Sequence, residues 1–173
     1  MGQSGNKQSV PWISRALARE PEFCSVMMDT MSALIITLDC QGMVVGFNKA
    51  CQETTGFTFE EVQEKPFWES LIPEDEREGV MRVFNKLRAG QFPNTYTNFW
   101  LTRTGERRLI DWSNTVLLDE NGDVDLIIGT GIDISKRYQT ELRLQESEAR
   151  FRRLAEASFE GVVIHDHGKV LDC

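Results

Sequence analysis

Between Leu126 and Leu154 the spacing of apolar residues changes period with no turn between. Leu126, Ile128, Thr130 and Ile132 alternate with Ile127, Gly129 and Gly131, the two-residue period of a strand with little room on one face. From Lys136 to Ala157 there is neither Gly nor Pro, and Glu, Arg, Leu and Ala dominate, so a helix is predicted straight after the strand. Asp133 or Ser135, each with a side-chain oxygen for the first free N–H groups, is the expected N-cap.

The preceding hundred residues mix both periods. Leu34–Leu38 and Met43–Phe47 flank Asp39-Cys40-Gln41-Gly42 and read as a hairpin. Asn48 can cap a helix that runs to about Thr55 and stops at Gly56, and Thr58 with Glu61 forms a capping box for the next. Pro66-Phe67-Trp68 leads to Pro73-Glu74-Asp75-Glu76, whose acids suit the first turn of a longer helix. Val80, Val83, Phe84 and Leu87 give that helix a buried face, and Gly90 ends it. Strands are predicted over Thr95–Arg103, Arg107–Leu118 and Val124–Ile132, with turns at Thr104–Glu106 and Asp119–Gly122. The order β-β-α-α-α-β-β-β predicts an α+β fold in which one antiparallel sheet buries a face beneath helices.

Outside this unit, residues 1–10 are polar and aperiodic and read as a disordered tail. Residues 11–31 carry two amphipathic helical faces, Trp12, Ile13, Ala16 and Leu17, then Phe23, Val26, Met27 and Met31, broken near Pro21. Residues 32–134 form the main domain and 135–156 a linker helix. Ser32–Val45 and Phe159–Leu171 repeat one pattern of strand, acidic turn with Gly, and strand, so 157–173 reads as the truncated start of a second such domain. A lone hairpin is marginal in water, so the chain is expected to come from a longer multidomain protein.

Composition narrows the function classes. A formal net charge of -8 argues against a phosphate-binding surface, and nucleic acid is not an expected partner. The longest apolar run is far shorter than the roughly 20 residues that span a bilayer, so no membrane insertion and a cytoplasmic location are expected. Four cysteines, without CxxC spacing, are expected to be reduced thiols.

The residues Leu38-Asp39 with Gly42, Phe47-Asn48, Thr55-Gly56-Phe57 with Glu60-Glu61-Val62, and Pro73-Glu74-Asp75 together resemble a PAS domain of the bacterial sensory-box type. Thr104-Gly105-Glu106, Trp112-Ser113, Asp119 to Gly122 and Gly131-Ile-Asp-Ile-Ser extend the resemblance, the last being similar to the family's strand-ending Asp-Ile-Thr element. Leu144–Leu154 resembles the helix leading from one PAS domain into the next. The resemblance implies a five-stranded antiparallel sheet with helices on one face, flanked by N- and C-terminal helices. It also implies a regulatory, non-enzymatic module of a signalling protein such as a sensor kinase or cyclic-dinucleotide enzyme, within a two-component system.

The ligand must be argued from residues. With the more apolar face of each strand inward, Ile110, Trp112, Asn114, Ile128 and Thr130, with Asn98 and Trp100, face helices carrying Trp68, Phe84 and Leu87. That wall reads either as a small-molecule pocket or as a filled core. Relatives that bind haem use a histidine on the long helix, which Glu74–Gly90 lacks, so haem is not expected. The photoactive flavin (LOV) motif with its reactive cysteine is also missing, so a covalent flavin adduct is not expected. Non-covalent FAD or FMN stays open because Trp68, Trp100 and Trp112 could stack a flavin ring. His165-Asp166-His167 sits in the predicted turn of the incomplete repeat without a third ligand, so no metal is expected. Both histidines lie outside the main domain, leaving no nucleophile–base arrangement and no catalytic residues there.

On the linker helix, Leu144, Ser147, Phe151, Leu154 and Ser158 recur at 3-4 spacing, a seam compatible with a short parallel coiled coil and a homodimer also using the N-terminal helix. Asp133, Ile134 and Ser135 are the expected relay from sheet to helix. Two function classes stand: a sensor of a ligand or cofactor state, flavin redox included, and a ligand-free module for dimerisation or domain spacing.

Overall fold

The alternation of apolar residues in the last three strands decides the architecture, because each must lay one face on the same helices. In the computed structural model, which describes residues 20–63, 65–159, 164–166 and 169–172, they do so within a five-stranded sheet. The predicted tail 1–10 and the first helical face, 11–19, lie outside the described residues. Contacts divide the chain after Asp133 into two units.

The first unit opens with α1 (Glu20–Thr30), then β1 (Leu34–Asp39), β2 (Val44–Phe47), α2 (Lys49–Thr55), α3 (Phe59–Val62) and α4 (Phe67–Ser70). A 3-10 turn (Glu74–Glu76), α5 (Arg77–Arg88), β3 (Asn94–Leu101), β4 (Arg107–Leu118) and β5 (Val124–Asp133) complete it. The strand order is β2-β1-β5-β4-β3, antiparallel throughout. Sequence reading missed α4, whose single turn is too short to show a period. It also started the long helix at the acids, which instead form the 3-10 turn ahead of α5.

Caps and turns follow the local chemistry. Asn48 Oδ1 accepts the Cys51 N–H at the start of α2, and Gly56 ends it at φ 76°, a left-handed conformation that costs glycine no Cβ clash. Thr58 and Glu61 form the capping box of α3. Asn48 does more than cap. It is 2% exposed; its Nδ2 donates to the carbonyls of Met28 and Ala33, and its Oδ1 also accepts the Ile35 N–H. One amide thus ties α1, β1 and α2 together.

The core lies between sheet and helices. Leu34, Ile36 and Leu38 of β1, Trp100 of β3, Ile110 and Trp112 of β4 and Ile127 of β5 point inward. Phe67, Leu71, Ile72, Val80, Phe84 and Leu87 meet them from the helical side. Full burial of each such side chain contributes about 1.5–3 kcal/mol. The inward positions of β5 are Ile127, Gly129 and Gly131; Thr130 is exposed and Ile128 only partly covered. The expectation that Ile128 and Thr130 face the helices is therefore corrected. Trp112 pairs with Gly131 in the ladder, and a Cβ there would lie 2.7 Å from both its Cζ3 and the Ile110 Cγ2. The bulky ring of β4 uses the space that glycine leaves, so the less apolar face of β5 is the buried one.

The second unit holds α6 (Ser135–Phe159), β6 (Ile164–Asp166) and β7 (Lys169–Asp172). Its first helical hydrogen bond runs from the Tyr138 N–H to the Ile134 carbonyl at 2.9 Å, which puts the N-cap position at Ile134, between Asp133 and Ser135. β6 and β7 pair antiparallel, so His165 and Asp166 belong to a strand and not to the predicted turn; His167 lies outside the described residues.

Candidate functional site

A cavity lies between α5 and the inner face of the sheet, with a free volume of about 50 Å³. Of the residues picked from sequence, the structure brings Phe84, Leu87, Asn98, Trp100, Trp112 and Asn114 around it. Trp68 stands behind this wall, edge-on to Phe84 at 5.5 Å, and Ile110 is fully buried beneath it. Ile128 and Thr130 are on the other face of the sheet. Ile127, Gly129, Phe67, Ile72 and Tyr96 line the cavity and were missed. The cross-strand pairing of Trp112 with a glycine was the available signal, because an aromatic ring opposite glycine settles over the bare backbone.

Two rings dominate one wall: Trp100 and Trp112 lie 4.7 Å apart at 40°, and Phe47 stacks on Trp100 at 6.1 Å. Opposite, Phe67, Trp68 and Phe84 form a second aromatic cluster with centroids 5.3–5.9 Å apart. The polar points are the Asn98 and Asn114 amides and the Tyr96 hydroxyl. Asn98 is 4% exposed and donates through Nδ2 to the Phe99 carbonyl at 2.9 Å. Tyr96 is half-buried on the edge strand, its hydroxyl against Gly79 of α5, where an added Cβ would have to push the hydroxyl aside. Among the described residues, no acidic or basic side chain lines the cavity.

Cys51 is buried in α2, and its thiol lies 3.4 Å from the Ile35 carbonyl. Burial pushes its pKa up to about 12, so it stays a neutral thiol. Cys40, partly buried, donates its thiol to the Val124 carbonyl at 2.8 Å.

Of the expected relay residues, Asp133 closes β5 and lies 3.7 Å from Arg108 Nη1 of β4, while Arg108 Nη2 bonds Glu106 at 3.0 Å. Arg108 Nε is buried without a hydrogen-bond partner among the described residues. Ile134 and Ser135 begin the second unit, and the seam residues Leu144, Phe151 and Leu154 are exposed on α6. Phe23, Val26, Met27 and Met31 of the N-terminal segment are exposed as well. Among the described residues, no helix is long and apolar enough to cross a membrane.

The profile of the family described as PAS fold matches residues 22–134. The chain is 24% identical over 146 residues to the hybrid signal transduction histidine kinase D of Dictyostelium discoideum, an alignment covering 82% of this chain and 9% of that protein. It is 27% identical over 148 residues to the sensor histidine kinase TmoS of Ectopseudomonas mendocina, covering 83% and 15% respectively. The chain thus spans a small part of the curated relatives it matches. In three dimensions it is similar to the PAS domain of a protein from Colwellia psychrerythraea, with a TM-score of 0.61, 20% identity, and coverage of 69% of this chain and 98% of that one.

Proposed function

The chain belongs to the PAS fold family, and from that premise we propose that it is the sensory module of a longer signal-transduction protein, binding a small molecule between α5 and the sheet. The observation that carries this reading is the cavity itself: an apolar, aromatic wall with a few polar atoms, the usual make-up of a ligand site. Relatives named as sensor histidine kinases support the signalling context.

Occupation of the cavity would press on Trp112, which lies over Gly131 two residues before the end of β5. The Arg108–Asp133 pair holds that end to β4. A ligand that shifts β5 would change the setting of Asp133, Ile134 and Ser135 and thereby the helix that follows, provided the two settings differ in ligand affinity. Homodimerisation through the exposed stripes of α1 and α6 would give that change a partner to act on. Residues 157–173 would begin the next domain of the same kind, the β6–β7 hairpin matching the β1–β2 pattern.

A ligand-free module for dimerisation or domain spacing is the second reading, favoured by the small cavity volume and the exposed apolar residues of α1. Non-covalent FAD or FMN, with three fused rings, would require α5 to move off the sheet to admit it. An absorption spectrum and native mass spectrum of freshly purified protein test these together. A retained molecule is the expected result; flavin bands would select the redox reading, and a protein carrying nothing would favour the spacer. Crosslinking of cysteines introduced along α6, unchanged between loaded and stripped protein, would sink the relay.

A further inference from the structure

Resting on the reading of the cavity as a ligand site, we propose that it takes an uncharged molecule of about single-ring size that donates a hydrogen bond to the side-chain amide of Asn98. The fold uses only part of the Asn98 amide. Its Nδ2 serves the Phe99 carbonyl, and no group among the described residues donates to its Oδ1, although the residue is 4% exposed and stands in the cavity wall. That oxygen is not one of the buried side-chain atoms left without a partner, so it stays open as an acceptor. Asn48, equally buried in the same domain, has both Oδ1 positions and both Nδ2 hydrogens engaged. An acceptor left open in the cavity wall is one that a ligand's donor can use.

Charge is excluded by the rest of the wall. With no Lys, Arg, His, Asp or Glu among the described residues that line the cavity, an ion entering it would lose its hydration and gain no counter-charge. The tilted Trp100–Trp112 pair offers flat apolar surface to a ring. Size follows from the free volume of about 50 Å³. A water needs about 10–15 Å³ by this measure, so the cavity has the room of roughly three to five waters, enough for one small ring.

Four single-ring probes separate these terms: phenol, fluorobenzene, benzoate and benzylammonium, titrated into the purified chain at neutral pH by calorimetry. Phenol is expected to bind saturably, and fluorobenzene, which has the ring without the donor, about three- to tenfold more weakly. The two ions should bind at least a hundredfold more weakly than phenol, on the order of the cost of an unpaired buried charge. Asn98→Leu should bring phenol and fluorobenzene level while the circular dichroism melt stays cooperative; if that variant does not fold, the ranking of the four probes on the unaltered chain decides.

Benzoate or benzylammonium binding as tightly as phenol would overturn the uncharged class and leave the cavity a ligand site. Fluorobenzene matching phenol would overturn the role of Asn98. If none of the four binds, the class is wrong, and native mass spectrometry of the fresh protein separates the two failures. A retained molecule of other chemistry keeps the sensor reading; an empty protein removes both.

Discussion

Asn48 and Asn98 are the same side chain at nearly the same depth, 2% and 4% exposed, and they are used in opposite ways. At the corner where α1, β1 and α2 meet, Asn48 spends its whole hydrogen-bonding capacity on main chain from three elements. Between α5 and β3, Asn98 makes one bond, to its own neighbour. A saturated amide fixes one arrangement of the backbone, while an unsaturated one keeps capacity for something that is not part of the fold. The difference separates a corner that must not move from a cavity wall that can take a guest.

The comparison can be broken at its strong end first. Asn48→Ala removes a helix cap and strands the Ile35 N–H and two carbonyls, which should cost about 3–5 kcal/mol. Urea denaturation should show it as a large fall in midpoint with little change in slope. Gly131→Ala comes next. Its Cβ would meet Ile110 and Trp112 at 2.7 Å, and overpacking of this kind costs about 1–3 kcal/mol. A loss of that size would establish that the spare capacity of Asn98 sits within a tightly packed wall and is not a sign of looseness.

Asn98→Leu should be far milder than Asn48→Ala, within about 1 kcal/mol of the parent in either direction, since it removes a poorly satisfied polar group for an apolar one. If it proves as damaging as Asn48→Ala in the same urea titration, the contrast between the two residues is false. The smallest effect is electrostatic. The Glu61 carboxyl is held below its ordinary pKa by the Thr58 N–H and then by Arg103, and Asp75 by Arg107. Both pKa values are lowered by folding, so their contribution is present above the unfolded carboxylate pKa of about 4 and is lost as pH falls through the folded values. All four side chains are substantially exposed, so the loss is modest. Because neither pair touches either asparagine, the parent and Asn98→Leu should lose stability in parallel when their urea midpoints are followed down through the acid range.

Much of this fold was legible because it is written in local chemistry. The hairpin at Asp39–Gly42, the Asn48 and Thr58 caps and the Gly56 stop each need only a few adjacent residues. Single-turn α4 carries too little sequence to show a period. The orientation of β5 failed for a different reason. A rule that turns the more apolar face inward counts glycine as nothing, whereas here glycine is what lets Trp112 lie down. Asn48 was readable as a cap but not as a three-element tie, because Met28 and Ala33 reach it only through tertiary folding. Asn98 could be assigned to the wall, but its unfilled oxygen emerges only from the full set of hydrogen bonds.

The two inward glycines of β5 also give the site a direction of change. At Gly129, whose Cβ would come within 3.1–3.2 Å of Ile36, Asn114 and Trp112, every substitution adds atoms and none removes them. At this position the cavity can therefore be narrowed by mutation but never enlarged. Any descendant or engineered variant that accepts a bulkier guest must gain the space from the larger lining side chains, so the library that would retune this site belongs at Val80, Val83, Leu87, Tyr96, Trp112 and Ile127.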